Sequence, residues 1–167
     1  MRRFQALIAL LLALVLGVTN VVAAEAEDEF HLEVVILDHA EKPVLNRQVS
    51  LDEVQSLPAA EFHTTTIWTD GVQRFRGVWL SDLLAHLEIF EGQLDFSALN
   101  EYLIEIPFED IVPGGPLVAY EWNGKPMSPR DKGPLWVVFP YDSDAKFQTE
   151  SIYAQSIWQL DRIEVYR

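Results

Sequence analysis

The chain of 167 residues contains no cysteine. That absence excludes disulfides, thiolate metal ligands and a cysteine nucleophile together. A domain without cross-links must hold by packing, and five tryptophans, nine phenylalanines and five tyrosines supply large rings for it. Bases are scarce as well: 12 Lys and Arg face 26 Asp and Glu, a formal net charge of −14. Such a surface repels nucleic acid and anionic lipid, and suits either a basic protein partner or plain solvation. The four histidines, His31, His39, His63 and His86, have no metal-ligand spacing. There is no Gly-x-Ser-x-Gly elbow and no phosphate-binding glycine loop, and Gly114-Gly115 before Pro116 reads as a turn. The residues therefore name no catalytic group and no metal site.

One apolar run stands out, from Ala6 to Val18, behind Arg2 and Arg3 and ahead of Val22-Ala23-Ala24. It is short of the ~20 apolar residues that a spanning helix needs, so it reads as a signal peptide over residues 1–24 rather than an uncleaved anchor. The expected location is the periplasm, and with no cysteine at the cleavage point a lipid anchor is closed. Residues 25–30, Glu-Ala-Glu-Asp-Glu-Phe, read as a disordered acidic leader. Residues 31–167 are enough for one domain and too few for two.

His31 to Asp38 reads as a strand with Leu32, Val34 and Ile36 on one face. Ser50-Leu51-Asp52-Glu53 is a capping box opening a short helix that ends before Pro58. Phe62 to Thr69 alternates, and Asp70-Gly71 predicts a tight turn into a second strand over 72–78. Leu80, Leu83, Leu84 and Leu87 give an apolar stripe to a helix over 81–88. Further strands are predicted over 102–106 and 117–122, the latter ended by Asn123-Gly124. The proline-rich stretch 125–134 reads as a loop, Leu135 to Tyr141 as a strand buried on both faces, and Ile157 to Tyr166 as a closing strand. About seven strands and two short helices predict a strand-rich, mixed α+β single domain.

Aromatic and polar residues cluster at two places. Trp68-Thr69-Asp70 lies at a strand end with Arg74 and Arg76 returning beside it, and Arg130-Asp131-Lys132 occupies the loop before Trp136. A flat heterocycle needs a face to stack on and polar groups to pair with its ring edge, and these clusters offer both. The plainer alternative is core tryptophans with solvated charges around them.

Several stretches resemble the sulfite-oxidase-type (SUOX) molybdopterin-binding fold: 50–58 with Ser50-Leu51-Asp52-Glu53, 75–84 with Phe75-Arg76-Gly77-Val78-Trp79, Asn123-Gly124-Lys125-Pro126-Met127, 133–140 with Gly133-Pro134-Leu135-Trp136, and Ser156-Ile157-Trp158-Gln159-Leu160. The enzymes of that family hold molybdenum through a cysteine thiolate, and Thr66 aligns with that position here. The resemblance thus implies the fold and a pocket, and undermines the redox reaction. The phrases Thr64-Thr65-Thr66-Ile67-Trp68-Thr69-Asp70-Gly71, Leu99-Asn100-Glu101-Tyr102 and 130–136 are similar to small exported PruR-like pterin-binding proteins. That likeness implies a non-catalytic receptor for a reduced pterin, acting on the periplasmic domain of a membrane-bound enzyme of cyclic-di-GMP turnover. It implies Trp68 as stacking face, Asp70 as acceptor from the pterin amino and ring N–H groups, and Arg130 and Lys132 as donors. Thr66, Asn100, Tyr102 and Ser156 are further candidates, and alanine at Trp68 is expected to weaken binding without unfolding the protein. The alternatives are a molybdopterin-dependent oxidoreductase of the sulfite-oxidase family and an interaction protein with a vestigial pocket.

Overall fold

Apolar residues spaced by two set the first strand against a core. In β1 (His31–Leu37) Leu32 and Val34 are buried as the alternation predicts, and Val35 and Leu37 are buried too. The computed structural model describes residues 30–167, so the signal-peptide and leader readings, save for Phe30, lie outside the described residues. Chain order continues with β2 (Pro43–Ser50), α1 (Leu51–Ser56), β3 (Ala60–Thr66), β4 (Thr69–Trp79), α2 (Leu80–His86), β5 (Gln93–Ala98) and β6 (Leu103–Glu105). Then come β7 (Leu117–Trp122), β8 (Lys125–Pro126), β9 (Trp136–Val138), α3 (Glu150–Gln155) and β10 (Leu160–Tyr166).

Two sheets result. The first runs β2-β1-β10-β5-β6, with β1 and β10 parallel and the other neighbours antiparallel. The second runs β3-β4-β7-β8, with β9 also paired to β7. Both sheets and α2 enclose the larger core, in which Leu80, Leu83, Phe96 and Ile163 are fully buried. Odd residues of β7 and even residues of β9, such as Leu117 and Trp136, build a smaller second core. Their neighbours Val118 and Val137 join the first core, so this part of the sheet is buried on both faces, although the strand expected over 135–141 covers only 136–138 and Tyr141 opens a 3-10 turn after Pro140. The architecture is strand-rich α+β in one domain, and among the described residues no helix is long and apolar enough to cross a membrane.

Several local expectations change. The capping box is half formed: Ser50 Oγ accepts from Glu53 N–H at 3.1 Å, but the Glu53 carboxylate turns to Arg47 and His86 instead of the Ser50 amide. The hairpin turn falls on Ile67-Trp68, before the Asp70-Gly71 pair. Strands β2 and β5 and helix α3 lie outside the predicted elements, β8 opens the stretch 125–134 that reads as a loop, and β10 begins three residues later than the apolar pattern suggests. Gln159, at φ 56°, breaks the extended conformation there.

Candidate functional site

Threonines shape the tip that carries Trp68. Thr66 Oγ1 lies 2.8 Å from Thr69 Oγ1 and accepts from the Trp68 amide at 3.1 Å, which closes the turn. The register then jumps from Thr66 opposite Thr69 to Thr64 opposite Gln73, so Asp70, Gly71 and Val72 bulge outward. Buried Gln73 stitches the bulge: its Nε2 donates to the Asp70 and Gly71 carbonyls, and its Oε1 accepts from Trp122 Nε1 and Asn123 Nδ2. Beside the hairpin tip Asp142 accepts from the Thr65 amide and hydroxyl at 2.5 and 2.7 Å, while its own amide donates to Thr64 Oγ1 at 3.1 Å. Those donors, the Thr65 amide first, hold the Asp142 carboxyl below the usual range.

So braced, Trp68 projects into a cluster of rings. Its centroid lies 6.0 Å from Trp136, 6.2 Å from Tyr141, 6.0 Å from Tyr153 and 5.7 Å from Trp158, every pair edge to face. Three other segments complete a cavity of about 310 Å³ beside it. The tip joining β5 to β6 supplies Ala98, Asn100 and Tyr102; the end of α3 supplies Tyr153, Ala154 and Ser156; Ile157 and Trp158 come from the approach to β10. Asn100 Oδ1 accepts from the Tyr102 amide at 3.1 Å, and its Nδ2 has no partner among the described residues. Ser156 is buried, donates to Ile152 O at 2.8 Å and accepts from the Tyr141 hydroxyl at 2.6 Å. Burial pushes Tyr141 far above the ordinary phenol range, so it stays a neutral donor.

The sequence candidates separate on this geometry. Trp68, Asn100, Tyr102 and Ser156 line the cavity together. Thr66 does not: its hydroxyl is spent inside the turn. Asp70 and Arg130 do not line it either; the bulge and the loop that carry them leave both exposed. Lys132 lies outside the lining, with Nζ 3.8 Å from the centre of the Trp158 ring and 4.9 Å from that of Trp136. Burial lowers its pKa, and among the described residues no carboxylate pairs with it. Tyr153 and Trp158 are the lining rings that sequence reasoning missed. Trp158 stood in the quoted stretch Ser156–Leu160, while Tyr153 belongs to the unanticipated α3.

Whether these residues fit the cofactor that the resemblance implies is a question of donors. There is no thiol, and among the described residues no group of three His, Cys, Asp or Glu side chains can hold a metal. The hydroxyl aligned with the thiolate is bonded elsewhere, and no Lys, Arg or His lines the cavity to meet a phosphate. The metal-bearing cofactor does not fit this donor set. A flat bicycle does: the lining offers aromatic faces, and the Asn100 amide combines one donor with one acceptor, complementary to a lactam edge.

Comparison with known proteins finds no match among curated proteins. The sequence profile described as "Oxidoreductase molybdopterin binding domain" matches residues 20–146, well over half of the chain. On that match and this fold, the chain belongs to the oxidoreductase molybdopterin-binding domain family.

Proposed function

We propose that this protein is a non-catalytic, periplasmic, PruR-like receptor for a pterin. In this reading the loaded protein regulates the periplasmic domain of a membrane-bound enzyme of cyclic-di-GMP turnover. The observation that carries the pterin is the cavity bordered by Trp68, Tyr153 and Trp158 and supplied with polar groups by Asn100, Tyr102 and Ser156, in a family that binds a pterin cofactor. The non-catalytic part rests on the chemistry of the donors: with no cysteine, molybdenum has no thiolate, and among the described residues no other cluster replaces it. Location follows from the charged start and short apolar run of residues 1–24, and the membrane partner from the likeness to exported relatives.

Ligand orientation follows from the lining. Aromatic edges and faces hold the bicycle, the Asn100 amide pairs with its lactam edge, and the Tyr102 and Tyr153 hydroxyls meet the remaining ring and side-chain groups. This replaces Asp70 as the recognition group, because its carboxylate is on the bulge. Native mass spectrometry of anaerobically purified protein tests the reading, with metal analysis of the same sample from cells that make molybdopterin. A pterin mass without molybdenum is expected. Stoichiometric molybdenum with its pyranopterin would instead establish the oxidoreductase, and a folded protein that takes up no pterin would leave an interaction module.

A further inference from the structure

Gln159 follows Trp158 in a left-handed backbone conformation, φ 56°, which glycine and asparagine adopt far more readily than glutamine. A strained residue persists where its surroundings hold it. Here every polar group but one is engaged. The Gln159 amide donates to Lys132 O at 3.0 Å, its carbonyl accepts from Leu99 N–H at 3.0 Å, and its side-chain Nε2 donates to Pro129 O at 2.6 Å.

Those partners lie on two segments that touch the site from different sides. Leu99 belongs to the β5–β6 tip that walls the cavity; Pro129 and Lys132 belong to the loop between β8 and β9. Within that loop the Asp131 and Gly133 amides both donate to Ser128 O, and the Ser128 hydroxyl donates to Asp131. Among the described residues, every hydrogen bond that leaves 128–133 for another part of the chain ends on Gln159. Its neighbour Trp158 lines the cavity and also carries the Lys132 ammonium at 3.8 Å. Gly133 closes the loop where a Cβ would collide with the Met127 carbonyl, a position only glycine fits.

We infer that Gln159 is a positioning residue that clamps the cationic loop 128–133 to the cavity wall, so that an occupant of the cavity steadies the loop that displays Arg130 and Lys132. The ligand half of this inference rests on the pterin reading above; the clamp itself does not. Without Gln159 Nε2 the loop keeps its internal turn but loses its side-chain tether, and Lys132 leaves the Trp158 face more often.

Limited trypsin digestion of the full-chain protein reads this directly, since Arg130 and Lys132 are the cleavage points, with cuts after Arg47 and Lys146 as internal references. Two variants keep the test clear of misfolding. Gln159→Gly relieves the left-handed backbone and retains both main-chain bonds, and Gln159→Glu keeps the shape but puts an acceptor where the donor was. Both are expected to cut at the loop about three- to tenfold faster than the wild type, the change in open population that one lost hydrogen bond produces. Unchanged loop cleavage in both overturns the clamp. With 7,8-dihydrobiopterin added, the wild-type loop should be protected, while variants that still bind it should not be. Equal protection in variant and wild type overturns the coupling. A wild type that binds no pterin overturns the functional reading and the coupling with it, and the ligand-free cleavage rates still decide the clamp.

Discussion

Trp68 has two duties that substitution can pull apart. Its ring borders the cavity, and it also packs against both cores, within 6.2 Å of four other aromatic centroids. Alanine at Trp68 is therefore expected to cost stability, about 3 kcal/mol as for other large-to-small changes among packed rings, while weakening pterin binding in a protein that still folds. Trp68→Phe keeps most of the packing and loses stacking area, so pterin affinity measured by titration should drop roughly tenfold with Tm little altered. Asp161 gives the opposite case. Its Oδ1 is buried without a partner among the described residues, and desolvation raises its pKa against the lowering pull of Arg162. A carboxyl raised on folding favours the native state at pH below its unfolded value, and that advantage is lost as pH rises through the folded pKa. Asp161→Asn should accordingly raise Tm near pH 7, by on the order of 2 °C after discounting for the exposed part of the side chain, with the gain vanishing toward pH 3. At this scale the sequence was informative where a residue type is tied to a task. Trp68, Asn100, Tyr102 and Ser156 meet at one cavity, whereas Asp70 and Arg130 were chosen for charge and their backbones turn them outward.

Among the elements, the β3–β4 hairpin shows why local signals mislead. Asp-Gly is a strong turn pair, and Gly71 does take a positive φ of 70°, but it is spent in the bulge of β4. The turn itself is made by paired threonine hydroxyls two and three residues apart from Trp68 and Thr66, a weaker pattern that wins because Asp142 and Gln73 secure both flanks. Asp142 lies 77 residues from Thr65, and Gln73 is held by Trp122 and Asn123, 49 and 50 residues away, so neither brace was legible in the local sequence. Helix α3 was missed for a similar reason: it is six residues long, capped by the Thr149 side chain on Ile152 N, and carries little apolar periodicity. The strands of the second core were easier, since an unbroken apolar run has few alternatives to a strand buried on both faces. Asp142 makes the brace testable. Its carboxyl is depressed in the folded protein, so it stabilises the native state above the ordinary aspartate pKa, and that contribution is lost as pH falls through the folded value. Asp142→Ala should cost about 1 kcal/mol at pH 7, an exposed but charge-assisted contact. Its unfolding curve should approach that of the wild type below pH 3, and hydrogen exchange at Thr65 and Trp68 should quicken.

Across the whole molecule, charge and cavity are separated, and under the proposed function that separation predicts how a pterin and a protein partner would respond to salt. The exterior is strongly acidic, and four arginines, Arg47, Arg74, Arg76 and Arg162, are already paired with glutamates. The cavity is the reverse: no charged side chain lines it, and the nearest cation, Lys132, lies against the Trp158 ring. Screening acts on exposed charges, with a Debye length of about 10 Å at 0.1 M and about 3 Å at 1 M. Association with a basic partner surface should therefore weaken several-fold between those concentrations, mostly through a slower on-rate. Binding of a neutral pterin should change less than twofold over the same range, because burial of rings and short-range hydrogen bonds carries it. Titrating one protein preparation with 7,8-dihydrobiopterin at both salt concentrations checks the second statement. A steep loss of affinity would mean that an exposed charge, such as that of Arg130 or Lys132, takes part in holding the pterin, which would return the charged loop to the recognition site. A flat response with a salt-sensitive partner contact would assign recognition to the aromatic cavity and leave the acidic exterior to the protein that reads it.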